Sequence, residues 1–280
     1  MNAHAIFTEA ARRLSDASVD SPRREVRLLT ALAMGKPAES VLAEPSDLSS
    51  SEVQCLAALV ARRQAREPFA YIAGRKEFWS LEIAVGPGAL VPRPETETLI
   101  EELCRTFPDR QTELQICDLG TGSGCLLVAA LSEFPRGQGL GLERSAEALA
   151  WARKNIAAHD LARRARLLLG DWENEPARLF DAILVNPPYI RHRDVMALTP
   201  EVARYEPSSA LDGGADGLDA YRTLAPLLGR SLKSEGAAFL EIGAGRANET
   251  REILEAAGLK VDRIAPDLAG IARCIVARPR

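Results

Sequence analysis

The chain has 280 residues, of which 46% are hydrophobic and 26% are charged. This balance is typical of a soluble globular protein that buries a substantial core, and the length suits one large domain or two modest ones. No apolar run approaches the roughly 18 residues that a membrane-spanning helix needs, and the N-terminus has no apolar signal segment. We therefore expect a cytoplasmic protein that makes no contact with a membrane.

The formal net charge is -4, and the charges are spread over the whole chain. Residues 1–75 carry 10 basic and 9 acidic side chains, and the remaining residues carry 25 basic and 30 acidic ones. Neither part has the basic surface that long nucleic-acid contacts require, so we expect no stable binding of nucleic acid. The cysteines form no C-x-x-C pair and the histidines lie far apart, so we expect no metal site and no disulfide framework.

Residues 1–74 are predicted to form a small bundle of helices, because apolar residues recur there every three to four positions. Ser21 followed by Pro22 predicts an N-cap with proline at the first helical position. Ser49 with Glu52 three residues later predicts a capping box, and hence the start of a further helix.

Residues 75–92 are predicted to form a β-hairpin linker. Leu81, Ile83 and Val85 alternate with other residues at the period of a strand, and the run Gly-Pro-Gly at 86–88 ends the alternation.

Strand and helix patterns alternate through the rest of the chain, which predicts βαβ units and a mostly parallel sheet of the α/β class. Only a short loop containing proline, aspartate and glycine separates the last two strands, so the last strand is expected to run antiparallel. Strands are predicted near residues 114–118, 138–142, 166–169, 181–185, 236–242, 259–264 and 271–277, and helices near 95–107, 124–134, 145–158, 217–233 and 246–257.

A glycine-rich loop follows the first of these strands. Glycines let a backbone turn tightly and approach a ligand closely. The spacing G-x-G-x-G after an acidic residue differs from the G-x-G-x-x-G of dinucleotide binders. Glu143, at the end of the second strand, is placed to accept hydrogen bonds from two ribose hydroxyls, and Asp118 is suited to hold an ammonium group. Together they predict a site for S-adenosylmethionine formed by Asp118, Gly120, Thr121, Gly122, Ser123, Gly124 and Glu143.

Asp171 and Trp172 follow the third strand of the predicted sheet. The Asp171 carboxylate is suited to accept a hydrogen bond from the adenine amino group, and the Trp172 ring is suited to pack on the purine. A helix cap followed by a core aromatic is the other common reason for such a pair. The position of the pair beside the other strand ends favours the cofactor.

The tetrapeptide Asn186-Pro187-Pro188-Tyr189 comes directly after an apolar strand. The lone pair of an amide nitrogen is delocalised into its carbonyl, so a methyltransferase acting on it must grip both N–H groups and orient the nitrogen. The Asn186 side-chain oxygen and the Pro187 carbonyl are suited to do this, while the two prolines stiffen the loop and withhold N–H donors. Tyr189 offers a flat face for the acceptor, so positioning replaces a strong base. We predict catalysis by Asn186, Pro187 and Tyr189, with Pro188 completing the substrate contact and Asn186 also touching the cofactor.

These motifs together resemble those of the release factor glutamine methyltransferases, the HemK/PrmC family. The supporting stretches are Tyr71–Gly74, Glu77–Trp79, Leu90–Glu97, Arg204–Pro207 and Leu211–Leu218. The resemblance implies a Rossmann-like, seven-stranded class I methyltransferase domain over residues 93–280 and substrate recognition by residues 1–74. It also implies S-adenosylmethionine as methyl donor, S-adenosylhomocysteine as product, and as acceptor the glutamine of the Gly-Gly-Gln motif in bacterial peptide chain release factors.

Other functions remain compatible with the same tetrapeptide. An adenine-N6 DNA methyltransferase would use it as well, but would need a basic target-recognition segment, which the charge distribution does not indicate. A ribosomal-protein glutamine methyltransferase is a second alternative, and the stretch from Pro92 to Glu97 favours release factors over it. A binding module that has lost its chemistry is a third alternative, and it would be expected to carry a damaged glycine loop or tetrapeptide.

Overall fold

The computed structural model describes residues 3–37, 48–172 and 179–280. Its helices are α1 (Ala3–Asp16), α2 (Pro22–Ala33), α3 (Ser50–Gln64), α4 (Phe69–Ala73), α5 (Glu97–Thr106), α6 (Cys125–Glu133), α7 (Ala146–Ala158), α8 (Pro200–Tyr205), α9 (Asp219–Ser231) and α10 (Ala247–Ala256). Its strands are β1 (Arg75–Phe78), β2 (Leu81–Ala84), β3 (Gln115–Leu119), β4 (Gln138–Glu143), β5 (Ala165–Leu169), β6 (Phe180–Val185), β7 (Leu232–Glu241), β8 (Leu259–Pro266) and β9 (Ala272–Pro279).

The chain divides into two compact units. The first contains the described residues up to Gly74 together with Thr199–Tyr205, and the second contains Arg75–Leu198 and Glu206–Arg280. The sequence predicts boundaries after residues 74 and 92, which place α8 in the methyltransferase part. The boundaries at 1–74, 75–92 and 93–280 stay predictions about domains.

Helices α1 to α3 of the first unit enclose an apolar core that includes Leu14, Leu29 and Leu56. The capping box of α3 is present as predicted: the Glu52 N–H donates to the Ser49 hydroxyl, and the Ser49 N–H donates to the Glu52 carboxylate at 2.7 Å. Helix α2 begins with a proline as predicted, but Ser21 makes no capping bond with its side chain. The left-handed backbone at Ser21 directs its side chain away from that role, and the preset backbone of proline starts the helix.

Helix α8 joins the first unit through a partly buried ion-pair cluster. Glu201 accepts from Arg63 at 2.8 Å and from Arg66 at 2.6 Å. Burial works to raise the pKa of Glu201, but the hydrogen bonds from Arg66 and Arg63 outweigh it and lower the pKa to about 2. The carboxylate is therefore ionised at neutral pH, and the ion pairs bind α8 to α3.

The second unit contains the seven-stranded sheet that the sequence predicted, in the order β5-β4-β3-β6-β7-β9-β8. Strand β9 runs antiparallel to both β7 and β8, which confirms the expected antiparallel last strand. Strand β7 begins at Leu232, four residues before the predicted start at 236. Residues 233–235 are polar and outside the core, and the pairing with β6 is irregular near Phe180, so this part of the strand lacks an apolar pattern.

A two-residue turn joins β1 and β2. Trp79 and Ser80 both have positive φ, at 54° and 59°, without being glycine. Their N–H groups donate to the carboxylates of Glu97 at 2.8 Å and Glu77 at 2.6 Å, which offsets the backbone strain. The second strand of the hairpin ends at Ala84.

Apolar layers cover both faces of the large sheet. One layer packs side chains of α5 and α6, including Leu99 and Leu127, against β3 and β6. The other packs side chains of α9 and α10, including Tyr221 and Leu254, against the opposite face. Strands β3, β4, β5 and β6 pair in parallel, so their carboxyl ends lie at the same edge of the sheet, where α/β folds bind ligands.

Candidate active site

A cavity of about 530 Å³ lies at this edge of the sheet, a size typical of small-molecule and cofactor sites. Most of the residues predicted to bind cofactor or substrate lie in its wall. These are Gly120, Thr121, Gly122, Ser123, Glu143, Asp171, Trp172, Asn186 and Pro188. Asp118, Gly124, Pro187 and Tyr189 were predicted with them but lie outside the lining of the cavity.

The glycine loop bends sharply between β3 and α6. Gly120, Gly122 and Gly124 all have positive φ, between 56° and 81°, a conformation that strains other residues. The N–H groups of Gly120 and Thr121 both donate to the Leu142 carbonyl, at 2.8 Å and 3.0 Å. The loop is thereby held against the end of β4, with its backbone exposed to the cavity.

Asp118 lies beneath the glycine loop and is almost fully buried. Burial raises its pKa to about 7, although the hydroxyl of Thr121 donates to it at 2.5 Å and lowers the pKa. The nearby charge of Glu143 raises it further. This position gives Asp118 a role in supporting the loop, and the direct contact with an ammonium group stays a prediction.

Glu143, the predicted ribose ligand, is held in place by two backbone N–H groups. One carboxylate oxygen accepts the Gly122 N–H at 2.9 Å, and the other accepts the Ser145 N–H at 2.8 Å. Each oxygen keeps a lone pair for a further donor, so the side chain is rigid and still able to bind two hydroxyls. A carboxylate at this place suits a hydroxyl-bearing, cationic ligand and repels a phosphate.

Asp171 and Trp172 have structural features that are compatible with both of the roles considered for them, and their contact with a cofactor stays a prediction. The Asp171 carboxylate accepts the Trp172 N–H at 2.7 Å, as a turn residue does. The Trp172 ring packs against the core, yet it also lies in the cavity wall within about 4 Å of where a side chain at Gly120 would begin. A flat ring beside a bare backbone fits a purine, so the glycine loop, Glu143 and Trp172 suit S-adenosylmethionine.

Two residues from distant segments, Thr96 and Glu241, form hydrogen bonds that hold the tetrapeptide after β6. The Asn186 side-chain NH2 group donates to the Thr96 hydroxyl at 3.2 Å, and that hydroxyl donates to Glu241 at 2.5 Å. The Tyr189 hydroxyl donates to the other Glu241 oxygen at 3.2 Å. Burial raises the pKa of Tyr189, and the charge of Glu241 raises it further, so the phenol is neutral.

A second loop covers the outer side of the tetrapeptide. The N–H of Gly213 donates to the Ile190 carbonyl at 2.8 Å, and the Ile190 N–H donates to the Leu211 carbonyl at 3.0 Å. A side chain at Gly213 would begin only 2.7 Å from the Pro188 oxygen. Only glycine allows this close approach, so the loop restrains the backbone of the tetrapeptide.

Comparison with known proteins decides the family. A release factor glutamine methyltransferase of Rhodospirillum rubrum is 43% identical over 276 residues, covering 98% of this chain and 84% of that protein. One of Cereibacter sphaeroides is 40% identical over 280 residues, covering 99% of both chains. The chain belongs to the release factor glutamine methyltransferase family. The resemblance inferred from the motifs is thereby confirmed.

Family profiles and a solved structure agree with this membership. The PrmC N-terminal domain profile matches residues 5–74, and the methyltransferase small domain profile matches residues 95–204. A crystal structure of a methyltransferase from Pyrococcus furiosus superposes with a TM-score of 0.54 at 19% identity, covering 78% of this chain and 98% of that one. That structure supports the fold alone.

Thr96, Glu241 and Gly213 lie against the predicted site residues, and the sequence analysis did not single them out. Thr96 and Gly213 lie in stretches that carried the resemblance, but nothing local indicated a role for them. Glu241 did carry a signal, because it is a carboxylate at the end of the apolar run of β7. A buried, charged residue at the carboxyl end of a central strand is a candidate for a functional site.

Within residues 3–37, 48–172 and 179–280, no group of three or more His, Cys, Asp or Glu side chains is arranged to hold a metal ion. None of the helices described for this family member is long and apolar enough to cross a membrane.

Proposed function

We propose that this protein transfers the methyl group of S-adenosylmethionine to the side-chain amide nitrogen of the glutamine in the Gly-Gly-Gln motif of bacterial peptide chain release factors, in the cytoplasm. S-adenosylhomocysteine is the second product. The observation that carries the proposal is the orientation of Asn186: its NH2 group is engaged by Thr96, so its oxygen is left to accept from a substrate in the cavity.

The tetrapeptide compensates for the weak nucleophilicity of an amide nitrogen by holding the amide in a fixed orientation. Asn186 Oδ1 and the Pro187 carbonyl accept the two N–H groups of the glutamine, which fixes the rotation of the amide about its C–N bond. Neither proline offers an N–H that would compete for these acceptors. The neutral Tyr189 ring supports the amide plane.

Bound S-adenosylmethionine supplies an electrophilic methyl group on a sulfonium sulfur. The residues proposed to hold it are Glu143 at the ribose, Trp172 and Asp171 at the adenine, and the glycine loop along the chain that bears the sulfur. Because alignment of the two reactants contributes most of the acceleration, no strong base is needed, and the proton leaving the nitrogen passes to water.

The first unit is proposed to recognise the body of the release factor. A short glutamine loop buries too little surface for selective binding, since stable interfaces bury about 800 Å² on each partner. A peptide carrying only the Gly-Gly-Gln loop should therefore show a much lower kcat/KM than the full-length release factor. Equal values for peptide and full-length protein would exclude this role.

The deciding experiment measures transfer of labelled methyl from S-adenosylmethionine to a purified, unmethylated release factor. Parallel reactions contain the release factor with its loop glutamine changed to alanine, a double-stranded DNA and a ribosomal protein fraction. Label on the unaltered release factor alone supports the proposal. Label on DNA or on the ribosomal proteins would establish one of the alternative functions instead.

A further inference from the structure

The side chain of Asn186 is held by Thr96 and, through it, by Glu241, and the proposed reaction gives neither of these two residues a role. We infer that Thr96 and Glu241 are positioning residues that hold the side-chain amide of Asn186 in the one orientation able to accept from the substrate. This inference rests on the proposed function, because it concerns how the acceptor amide is gripped.

The geometry joins three segments that are distant in sequence. Thr96 ends the short helical turn before α5, Glu241 ends β7, and Asn186 follows β6. The Thr96 hydroxyl lies 2.5 Å from one Glu241 oxygen and 3.2 Å from the Asn186 amide nitrogen. Thr96 and Glu241 are 2% and 1% exposed, so little solvent competes for the hydrogen bond between them.

The direction of these hydrogen bonds follows from the protons available. An ionised carboxylate only accepts, so the single hydroxyl proton of Thr96 points to Glu241. The Thr96 oxygen then has only lone pairs to offer Asn186. The Asn186 side chain must therefore donate from its NH2 group. The Asn186 oxygen is consequently turned away from Thr96. In the opposite orientation, two acceptors would face each other inside the protein and the NH2 group would meet the N–H groups of the substrate.

The same carboxylate also holds the other end of the tetrapeptide. Its second oxygen accepts from the Tyr189 hydroxyl at 3.2 Å, while the Glu241 backbone carbonyl accepts from the Tyr221 hydroxyl at 2.9 Å. Glu241 therefore links Asn186 and Tyr189, which are proposed to contact the edge and the face of the same acceptor amide.

The charge state of Glu241 makes the arrangement sensitive to pH. Burial raises its pKa to about 7, while the hydrogen bonds from Thr96 and Tyr189 and the charge of Arg273 lower it and the charge of Glu95 raises it. The other titratable groups that interact with Glu241 are Tyr221, Cys125 and Cys274, and these stay neutral because burial raises the pKa of each. A protonated Glu241 would donate to Thr96, whose own proton would then turn toward Asn186 and favour the reversed amide.

The test compares two variants of Thr96 with a matched control. Thr96→Val keeps the shape of the side chain and removes the hydroxyl, whereas Thr96→Ser keeps the hydroxyl. Thr250→Val makes the same chemical change at a buried threonine in α10 whose hydroxyl has no hydrogen-bond partner among the described residues. Thermal unfolding establishes that each variant is folded.

Methyl transfer to the full-length release factor is measured for each variant with saturating S-adenosylmethionine. Thr96→Val should lower kcat by roughly 10- to 100-fold, because a misoriented asparagine removes the alignment of the acceptor. Its affinity for S-adenosylmethionine should be unchanged, Thr96→Ser should recover most of the rate, and Thr250→Val should match the unaltered protein. The rate of the unaltered protein should fall as pH drops through about 7. Thr96→Val with an unchanged kcat would overturn the inference.

A spectroscopic measurement separates this inference from the proposed acceptor. The side-chain amide resonances of Asn186 are identified in the ¹⁵N-labelled protein by their loss in Asn186→Ala. They should shift in Thr96→Val and titrate with Glu241, but should not change in Thr250→Val. Unchanged resonances in Thr96→Val would refute the positioning role whatever the acceptor is. If Thr96→Val shows these shifts but the unaltered protein does not methylate the release factor, the proposed function alone is refuted.

Discussion

Replacing Gly213 with alanine tests whether the loop over the tetrapeptide restrains the catalytic geometry. The backbone of Gly213 has no positive φ, so alanine adds no conformational strain there. The added carbon would lie 2.7 Å from the Pro188 oxygen and 2.9 Å from the Tyr189 Cα atom. An ordinary contact begins at 3.4 Å, so the Pro188 oxygen must move by 0.7 Å or the loop must withdraw by a similar amount. Both neighbours are backbone atoms, which cannot simply rotate aside.

A displacement near 1 Å in an aligned site costs up to about 100-fold in rate, so we expect Gly213→Ala to lower kcat by roughly 10- to 100-fold. Binding of S-adenosylmethionine should weaken much less, because the glycine loop and Glu143 belong to other segments. Single-turnover methyl transfer measures the chemical step, and titration calorimetry measures cofactor affinity.

Gly229→Ala is the matched control for this change. Gly229 lies within α9, and the nearest atom to its added carbon is 3.9 Å away. This variant should keep full activity and gain roughly 0.5–1 kcal/mol of stability, as expected for alanine in a helix. A Gly213→Ala enzyme within twofold of the unaltered rate would refute the view that this loop restrains the tetrapeptide.

Three further variants test other parts of the structure. Asn186→Ala should retain cofactor affinity but lose roughly 100-fold or more in kcat, and near-normal turnover would contradict the proposed grip on the amide. Glu143→Ala should weaken binding of S-adenosylmethionine by roughly 10- to 100-fold in calorimetry, because a charged hydrogen-bonding group is lost; unchanged affinity would exclude it as a ribose ligand. Glu201→Gln should lower the free energy of unfolding by roughly 1–2 kcal/mol at pH 7, as judged by denaturant unfolding, because solvent screens part of the attraction in a partly exposed pair. Because the folded pKa of Glu201 is lowered from 4.5 to about 2, this contribution is present above pH 4.5 and disappears as pH falls toward 2, so a pH-independent difference would contradict the ion-pair origin.

The elements of the fold were largely predictable because their signals are local. All seven strands of the large sheet were anticipated, since each has an apolar run bounded by glycine, proline or polar residues. Two misjudged details have local causes as well: the polar start of β7 carries no apolar alternation, and the side chain of Ser21 does not cap because its backbone is left-handed. In both cases the surrounding structure, and not the intrinsic preference of the residues for strand or cap, decides the local conformation.

The candidate site was only partly predictable. The glycine loop, Glu143 and Asn186 each follow a strand, so the rule that ligands bind at the carboxyl ends of parallel strands was enough to bring them together. The position of Asp118 beneath the loop was not foreseen, because burial of a carboxylate depends on the neighbours that exclude water from it. The role of α8 in the first unit was hidden for a related reason, since its ion pairs join residues more than 130 positions apart.

The sequence by itself determined the class of fold and the methyl-transfer chemistry, and it pointed to the tetrapeptide proposed to perform that chemistry. Backbone freedom of glycine, rigidity of proline and the periods of helix and strand are properties of a few adjacent residues, so they can be recognised before folding. Only the tertiary structure decided which way the Asn186 amide points and how readily Glu241 ionises. Thr96 and Glu241 are 145 residues apart, and their hydrogen bond and the raised pKa of Glu241 arise only when the packed sheet brings them together and removes water from both.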